Sequence, residues 1–551
     1  MKAADWISNF LVDNGITHVY QLSGGMTAFV ADSMARTPGI EIISLRHEQA
    51  AGFAAEGYSR VAGVPAVAMG TSGPGATNLV TAIASAYFDS VPVIFITGQV
   101  HQNEIKKNDL QRQNGFQELD IVSMSAGITK FSRSITSTME IPEVFQEALL
   151  LSTSGRPGPV LLDIPINIQQ QEITQGNIFE EELREGVFTD FTELVSLISK
   201  SQRPLILAGG GIRISQATNQ FSRFVHKFEI PVVTSLMGID SITSDSKYKV
   251  GMIGSYGNRW ANRALMQSDL LLVLGSRLDI RQTGSDLQLF TKDRTIVRID
   301  IDDTEISGRV ASDIAYHASL DSFFGFMEGV DYTSNPLHLE TLHEAKRYSE
   351  SHPQESEQPG LDGINPSTLM GVISNVFTNA NGYIVDVGQH QMWAAQSLAL
   401  KENQRFLTSG GLGAMGFSIP AAIGAWHASA GKWVVLLGDG CAQISMSEFQ
   451  TLKAIQPNLV IIIMNNHQQG MVAQFQEENL DSRYTGTRTG YSTPNFTKVA
   501  EAFGIRSFKI VSLEDSQDIF NLIQELDEPV IVEVIIPQNA KALPKNAFGE
   551  V

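Results

Sequence analysis

One cysteine, Cys441, stands in the 551 residues, so no intrachain disulfide can form. Positive charge is scarce as well: 39 Lys and Arg face 59 Asp and Glu, a formal net charge of −20. Nucleic-acid binders display basic patches that release counterions, so DNA and RNA are excluded as expected partners. No window holds the ~18 uninterrupted apolar residues of a membrane span. The longest apolar runs, such as NLVIIIM at 458–464, have the length of buried strands. At the N-terminus, MKAADWISNFLVDNG carries Asp5 and Asp13 where a secretory signal would be apolar, which leads us to expect a cytoplasmic protein. Short-period repeats are missing, and the one biased tract is the polar stretch SESHPQESEQPGLDGINP at 349–366.

What is present is enough apolar material for several cores. Hydrophobic residues make up 43% and charged residues 18% of a chain too long for one core, since domains run to roughly 100–200 residues. Fully apolar runs separated by helical patterns signal parallel sheets covered on both faces. In the first block these are VPAVAMGTSGPG (64–75), VPVIFITG (91–98) and GPVLLDIP (158–165). RPLILAGGGI (203–212), DLLLVLGSRLD (269–279) and RTIVRIDID (294–302) form a second block. Past the polar stretch, which reads as a linker, come GYIVDVG, WVVLLGDG, LVIIIMNN and PVIVEVIIP. The expectation is an α/β chain of three doubly wound parallel-sheet domains, over residues 1–170, 190–345 and 366–551.

The strongest chemical signal lies in the third block. WVVLLGDG stops at Gly438, Asp439 and Gly440, and LVIIIMNN stops at Asn465 and Asn466. Both ends of such strands emerge at the carboxyl edge of a parallel sheet, where Asp439 and Asn466 can offer hard oxygen ligands to one cation. Magnesium carrying a diphosphate fits best, because glycines admit phosphate oxygens to backbone N–H groups at a helix start. GDG by itself is a common turn; the paired NN at the end of a second buried strand gives it its meaning.

On these residues the chain resembles, over nearly its whole length, the thiamin-diphosphate enzymes of the acetolactate synthase (acetohydroxyacid synthase) group, which includes flavin-containing carboligases of surface-polysaccharide clusters. The resemblance implies pyrimidine-binding, central flavin-binding-like and diphosphate-binding domains in that order. It implies that Asp439, Asn466 and the carbonyl of Gln468 hold Mg2+, and that Gly438, Gly440, Cys441, Gln469, Gly470, Met471 and Val472 complete that side. VGQH (Val387, Gly388, Gln389, His390) would receive the diphosphate. In SGGLGAMG at 409–416, Gly413 and Met415 would prop the cofactor in its bent form.

From the first block, RHEQAAGFAAEGYSR (46–60) is similar to the family's activating helix, with Glu48 as activator, and TSGPGATN (71–78) to its pyrimidine loop, with Thr71, Pro74 and Asn78. A carboxylic acid bonded to the pyrimidine nitrogen favours the imino tautomer, a task suited to a buried glutamate. Without the resemblance Glu48 would be read as pairing with Arg46 on a solvated face. Gln117 in FQELD and Lys130 in GITKFSRS resemble substrate-side positions. GMIGSYG (251–257) and LGSRLDIRQTG (274–284) resemble flavin segments, implying FAD near Gly210, Gly211, Gly254, Ser255, Tyr256, Gly257, Ser276, Arg277, Asp279, Arg281, Asp300, Ile301 and Asp313.

There are departures. The family's YPGGA reads LSGGM at 22–26, the loop HQNEIKKNDLQRQNG (101–115) is longer and more polar, and Phe475 stands where biosynthetic members carry a tryptophan that shapes choice of the second keto acid. The expected reaction is decarboxylation of pyruvate or another 2-keto acid and transfer of the two-carbon unit to a second carbonyl, giving 2-acetolactate when that carbonyl is pyruvate. DIPINIQ (163–169) and the long loop suggest a keto-sugar nucleotide acceptor as the alternative. A non-catalytic relative is disfavoured by retention of Glu48, Asp439 and Asn466. Relatives place Glu48 and the diphosphate domain on different subunits, so a homodimer or homotetramer with interfacial sites is expected.

Overall fold

The computed structural model describes residues 1–108, 110–173 and 189–545. They form three six-stranded sheets in which every pairing is parallel. The first contains β1 (His18–Gln21), β2 (Glu41–Ser44), β3 (Ala66–Gly70), β4 (Val93–Gln99), β5 (Phe131–Ser134) and β6 (Val160–Pro165), in the order β2-β1-β3-β4-β6-β5. β7 (Pro204–Ala208), β8 (Val232–Thr234), β9 (Lys249–Met252), β10 (Leu270–Leu274), β11 (Thr295–Asp300) and β12 (Ile314–His317) make the second, ordered β12-β11-β10-β7-β8-β9. The third has β13 (Gly382–Val385), β14 (Arg405–Leu407), β15 (Trp433–Gly438), β16 (Leu459–Asn465), β17 (Arg506–Ile510) and β18 (Val530–Ile535), ordered β14-β13-β15-β16-β18-β17.

The first and third sheets repeat one strand plan, and their cores are continuous. The join is made by two small-residue helices, Glu48–Ala62 and Ser418–Ala428. A Cβ on Gly57 would stand 2.1 Å from the Ala421 carbonyl oxygen, and one on Gly424 1.8 Å from that of Ala54. Only glycine permits backbones to approach so closely. Arg60 crosses the same seam, donating to the Thr408 carbonyl at 2.8 Å and pairing with Glu56 and Asp89.

The polar stretch at 349–366 is docked rather than free. Gln354 donates to the Leu543 carbonyl at 2.8 Å, and Glu357 pairs with Arg259 of the central domain. Among the described residues, no helix is long and apolar enough to cross a membrane.

Candidate active site

Two groups of residues occupy the carboxyl edges of the first and third sheets. In the first, Glu48 opens its helix just past β2 and is buried; Asn78, one turn into the helix Pro74–Phe88, donates to Glu48 Oε2 at 3.0 Å. Thr71 Oγ1 accepts the Met26 N–H at 3.2 Å, and Pro74 supplies the pre-set φ of a first helical residue. Gln117 holds φ +67° and Gly73 φ +62°. A Cβ on Gly73 would lie 2.9 Å from that of Gln117, so these two turns pack back to back. Lys130 stands apart, at the amino end of β5. Its Nζ donates to the Ser154 carbonyl at 2.7 Å, and burial lowers its pKa. The structure therefore does not bring Lys130 to Glu48 and Gln117 within one chain.

In the third domain, Asp439 follows β15 and is buried. Its Oδ1 accepts the Gly440 N–H at 2.7 Å and the Tyr491 hydroxyl at 3.1 Å, whereas Oδ2 has no partner. Desolvation pushes this carboxyl up to about 6. A cation at Oδ2 would restore the charged form, so the orphaned oxygen fits a metal ligand. Asn466, past β16, commits its Nδ2 to Gln389 Oε1 at 3.2 Å, leaving its carbonyl oxygen to serve a cation. Asn465 is structural, donating to Glu533 at 2.7 Å.

His390 Nε2 is buried without a partner, and desolvation lowers its pKa to about 4, so the ring is neutral at pH 7. Cβ atoms on Gly388 and Gly438 would approach this ring to 2.6 and 3.1 Å. These glycines make room for the imidazole beside the start of the helix Gln389–Ser397, whose first N–H groups are suited to a diphosphate. Cys441 Sγ donates to the Val387 carbonyl at 3.2 Å. Gly413 holds φ +72°, and Asp386 accepts the Gly416 and Ser418 N–H groups at 3.0 and 2.8 Å, fastening the loop that carries Met415. Met415 Cε would lie 3.2 Å from a Cβ on Gly440.

Gly470 opens the helix Gly470–Asn479, where a Cβ would strike Gln389 Oε1 at 2.0 Å. Gln469 donates its N–H to the Thr487 carbonyl at 3.2 Å, and Met471 is half-buried. Val472 and Phe475, one turn apart, are 48% and 54% exposed in the single chain. Among the described residues, no hydrogen bond or ion pair joins the Glu48 group to the Asp439 group.

A cavity of about 700 Å³ lies between the domains. Gly210, Gly211, Tyr256, Ser276, Arg277, Asp279, Arg281, Asp300 and Ile301 line it. Gly254, Ser255 and Gly257 do not line it: the Ser255 N–H donates to the Arg281 carbonyl at 2.7 Å and that of Gly257 to the Gly254 carbonyl at 2.8 Å. Asp313 does not reach the cavity. It accepts the Ile296 N–H at 2.8 Å near the amino end of β11, because a carboxylate there satisfies a strand donor.

Sequence reading missed Arg60, Asp89, Arg213, Asp240 and Arg405, which also line the cavity. Arg213 and Arg405 pair with Asp240 at 3.3 and 2.9 Å. Burial pushes Glu56, beside Arg60, up to about 7. The one sequence signal for this network was the four-residue spacing of Glu56 and Arg60 on a helix. Tyr491 was missed too, and nothing in its local sequence marks it.

This architecture, three parallel α/β domains with an acidic and an amide side chain at neighbouring strand ends, is that of a thiamin-diphosphate enzyme. Residues 1–124, 191–325 and 386–534 match the N-terminal TPP binding, central and C-terminal TPP binding domains of thiamine pyrophosphate enzymes. The chain is 36% identical to the acetolactate synthase large subunit of Lactococcus lactis, over 98% of this chain and 93% of that one. It is 33% identical to the isozyme 2 large subunit of Escherichia coli (99% and 97% covered) and 35% identical to the chloroplastic acetolactate synthase 1 of Nicotiana tabacum (100% and 84%). The chain belongs to the acetolactate synthase large-subunit family of thiamin-diphosphate enzymes.

Proposed function

We propose that the protein joins two pyruvates: one loses carbon dioxide, its remaining two-carbon unit bonds to the keto carbon of the second, and one proton is taken up to give 2-acetolactate. The observation that carries this reading is the pairing of the unpartnered Asp439 Oδ2 with the free carbonyl of Asn466 at adjacent strand ends, in a chain whose relatives are acetolactate synthases. Bound thiamin diphosphate supplies the carbanion chemistry. Asp439, Asn466 and the Gln468 carbonyl would hold Mg2+, and the helix start at Gln389 would offer backbone N–H groups to the diphosphate. Met415 would support the bound cofactor from its loop. Glu48, its far oxygen fixed by Asn78, presents a carboxyl to the pyrimidine nitrogen and exchanges a proton there. Gln117 orients the substrate carbonyl.

The absence, among the described residues, of a hydrogen bond or ion pair between the Glu48 and Asp439 groups within one chain supports a homodimer as the smallest active unit, with Glu48 serving the partner subunit's diphosphate domain. The exposed Phe475 and Val472 suit a face that a second copy covers. For the interdomain cavity we propose FAD. Arg277 and Arg281 offer positive charge to its diphosphate, Gly210 and Gly211 allow close backbone approach, and Asp279 and Asp300 offer acceptors for hydroxyls. Decarboxylation with carboligation moves no net electrons, so this flavin is structural. We take the cytoplasm as its location. The keto-sugar acceptor is not favoured, since the relatives named above are acetolactate synthases.

Purified protein given thiamin diphosphate, Mg2+, FAD and pyruvate should release carbon dioxide and accumulate acetolactate, measured as acetoin after acid treatment. Failure to form it would reject the reading. The preparation should be yellow and need no oxygen; full activity in colourless protein without added flavin would reject FAD.

A further inference from the structure

One short turn, Tyr484–Tyr491, reaches two of the three residues assigned above to the cation. At its end the Tyr491 hydroxyl donates to Asp439 Oδ1 at 3.1 Å and accepts from Gln443 Nε2 at the same distance. The amide N–H group can only donate, so the phenol proton is left for Asp439. With the Gly440 N–H also on Oδ1, one carboxylate oxygen is fully committed to the protein and Oδ2 alone is left over. Tyr491 gets this close because residue 440 has no side chain: a Cβ there would lie 3.3 Å from the phenol oxygen.

In the middle of the turn, Arg488 Nε donates to the side-chain oxygen of Gln468, and its guanidinium carbon lies 3.9 Å from the Tyr484 ring centroid, so a stacked aromatic fixes its direction. The turn is itself anchored. Thr487 Oγ1 donates to Gln476 Oε1 at 2.5 Å and Gln476 Nε2 to the Thr485 carbonyl at 3.0 Å, while Gly486 and Gly490 take φ of +74° and +77°.

We propose that the turn Tyr484–Tyr491 is a positioning element for the cation site, Tyr491 orienting the Asp439 carboxylate and Arg488 holding the Gln468 segment, so that the ligand oxygens are set before the cation binds. The proposal rests on the assignment of Asp439, Asn466 and Gln468 as ligands. Partners that orient metal ligands commonly change affinity by 10–100-fold when removed. Neither residue touches the reacting atoms, so their loss should appear first in cation affinity.

The test uses Mn2+ in place of Mg2+ and reads free Mn2+ by its electron paramagnetic resonance in the presence of thiamin diphosphate, without turnover. Tyr491→Phe, which keeps the ring and removes the proton, should weaken Mn2+ binding by about tenfold, and Arg488→Met should weaken it independently. In kinetics, the Mg2+ concentration for half-maximal rate should rise by more than kcat falls, a split that general loosening of the fold would not produce. Equal Mn2+ affinity in Tyr491→Phe and the wild type, with equal thermal stability, overturns the proposal. Should Asp439→Ala bind Mn2+ as the wild type does, the ligand assignment itself is wrong and the proposal falls with it.

Discussion

The carbonyl oxygen of Ala54 lies 1.8 Å from the point where a Cβ on Gly424 would stand, so the backbones of the first and third domains touch with no side chain between them. Gly424→Ala must push the two helices apart or bend one of them. Overpacking of this kind costs about 1–3 kcal/mol. Denaturant unfolding should show a lower midpoint for Gly424→Ala, and the same direction for Gly57→Ala; an unchanged midpoint would mean that the helices slide at no cost.

Glu48→Gln keeps the shape and the contact with Asn78 but cannot exchange a proton with the pyrimidine. Turnover should fall by about 10²–10⁴, the usual range for a general acid-base group. Thiamin diphosphate affinity should change little, and deuterium exchange at C2 of the bound cofactor, followed by NMR, should slow. Exchange at the wild-type rate would remove Glu48 from its assigned role.

Asp163 offers a pH test away from the cation site. It is buried on β6, and desolvation lifts its carboxyl from the ordinary 3.8 to about 7, against the pull of hydrogen bonds from Thr97, Gln99 and Ser134. Between those values the unfolded chain has ionised and the folded one has not. Its contribution to stability is therefore full below about pH 4 and is lost as the pH rises through about 7. Asp163→Asn removes that slope. Unfolding midpoints measured from about pH 4 to 7 should fall less steeply in the variant; parallel curves would place the Asp163 pKa near its ordinary value.

Phe475→Trp extends the aromatic wall on the helix Gly470–Asn479. With a small keto acid as acceptor, preference for 2-ketobutyrate over pyruvate should rise, by up to about tenfold for a contact worth about 1.4 kcal/mol. Competition kinetics with both acceptors measures it, and an unchanged product ratio would show that position 475 does not line the acceptor site.

Legibility in the sequence followed position in the sheet and strand length. The strands read from apolar runs are β3, β4 and β6 in the first sheet, β7, β10 and β11 in the second, and β13, β15, β16 and β18 in the third. In each sheet these are contiguous in the middle, covered on both faces. Those missed include every outermost strand, and all are short. Solvent on one side lets polar residues in and dilutes the apolar signal, as in RSFKI at β17 and IAYH at β12.

The candidate site divides in the same way. Asp439, Asn466 and Glu48 sit beside glycine turns or at helix starts, where local sequence carries the pattern. Asp240, Arg405 and Tyr491, and Arg60 apart from its local pairing with Glu56, act through partners far away in the chain, and a linear pattern cannot report such pairings. Lys130 shows the converse: its loop resembles a substrate segment, yet its amine is spent on Ser154 in the single chain.

All eighteen strands among the described residues pair in parallel, so no hairpin is available to start these three sheets, and each pairing must wait for a crossover to close. The seam between Gly57 and Ala421 adds a longer wait, because the whole central domain is synthesised between its two halves. Until the helix Ser418–Ala428 emerges from the ribosome, the glycine face of its partner helix stays uncovered. Such a chain folds slowly and exposes apolar surface while it does so, which makes its yield depend on temperature and chaperone supply more than its final stability would suggest.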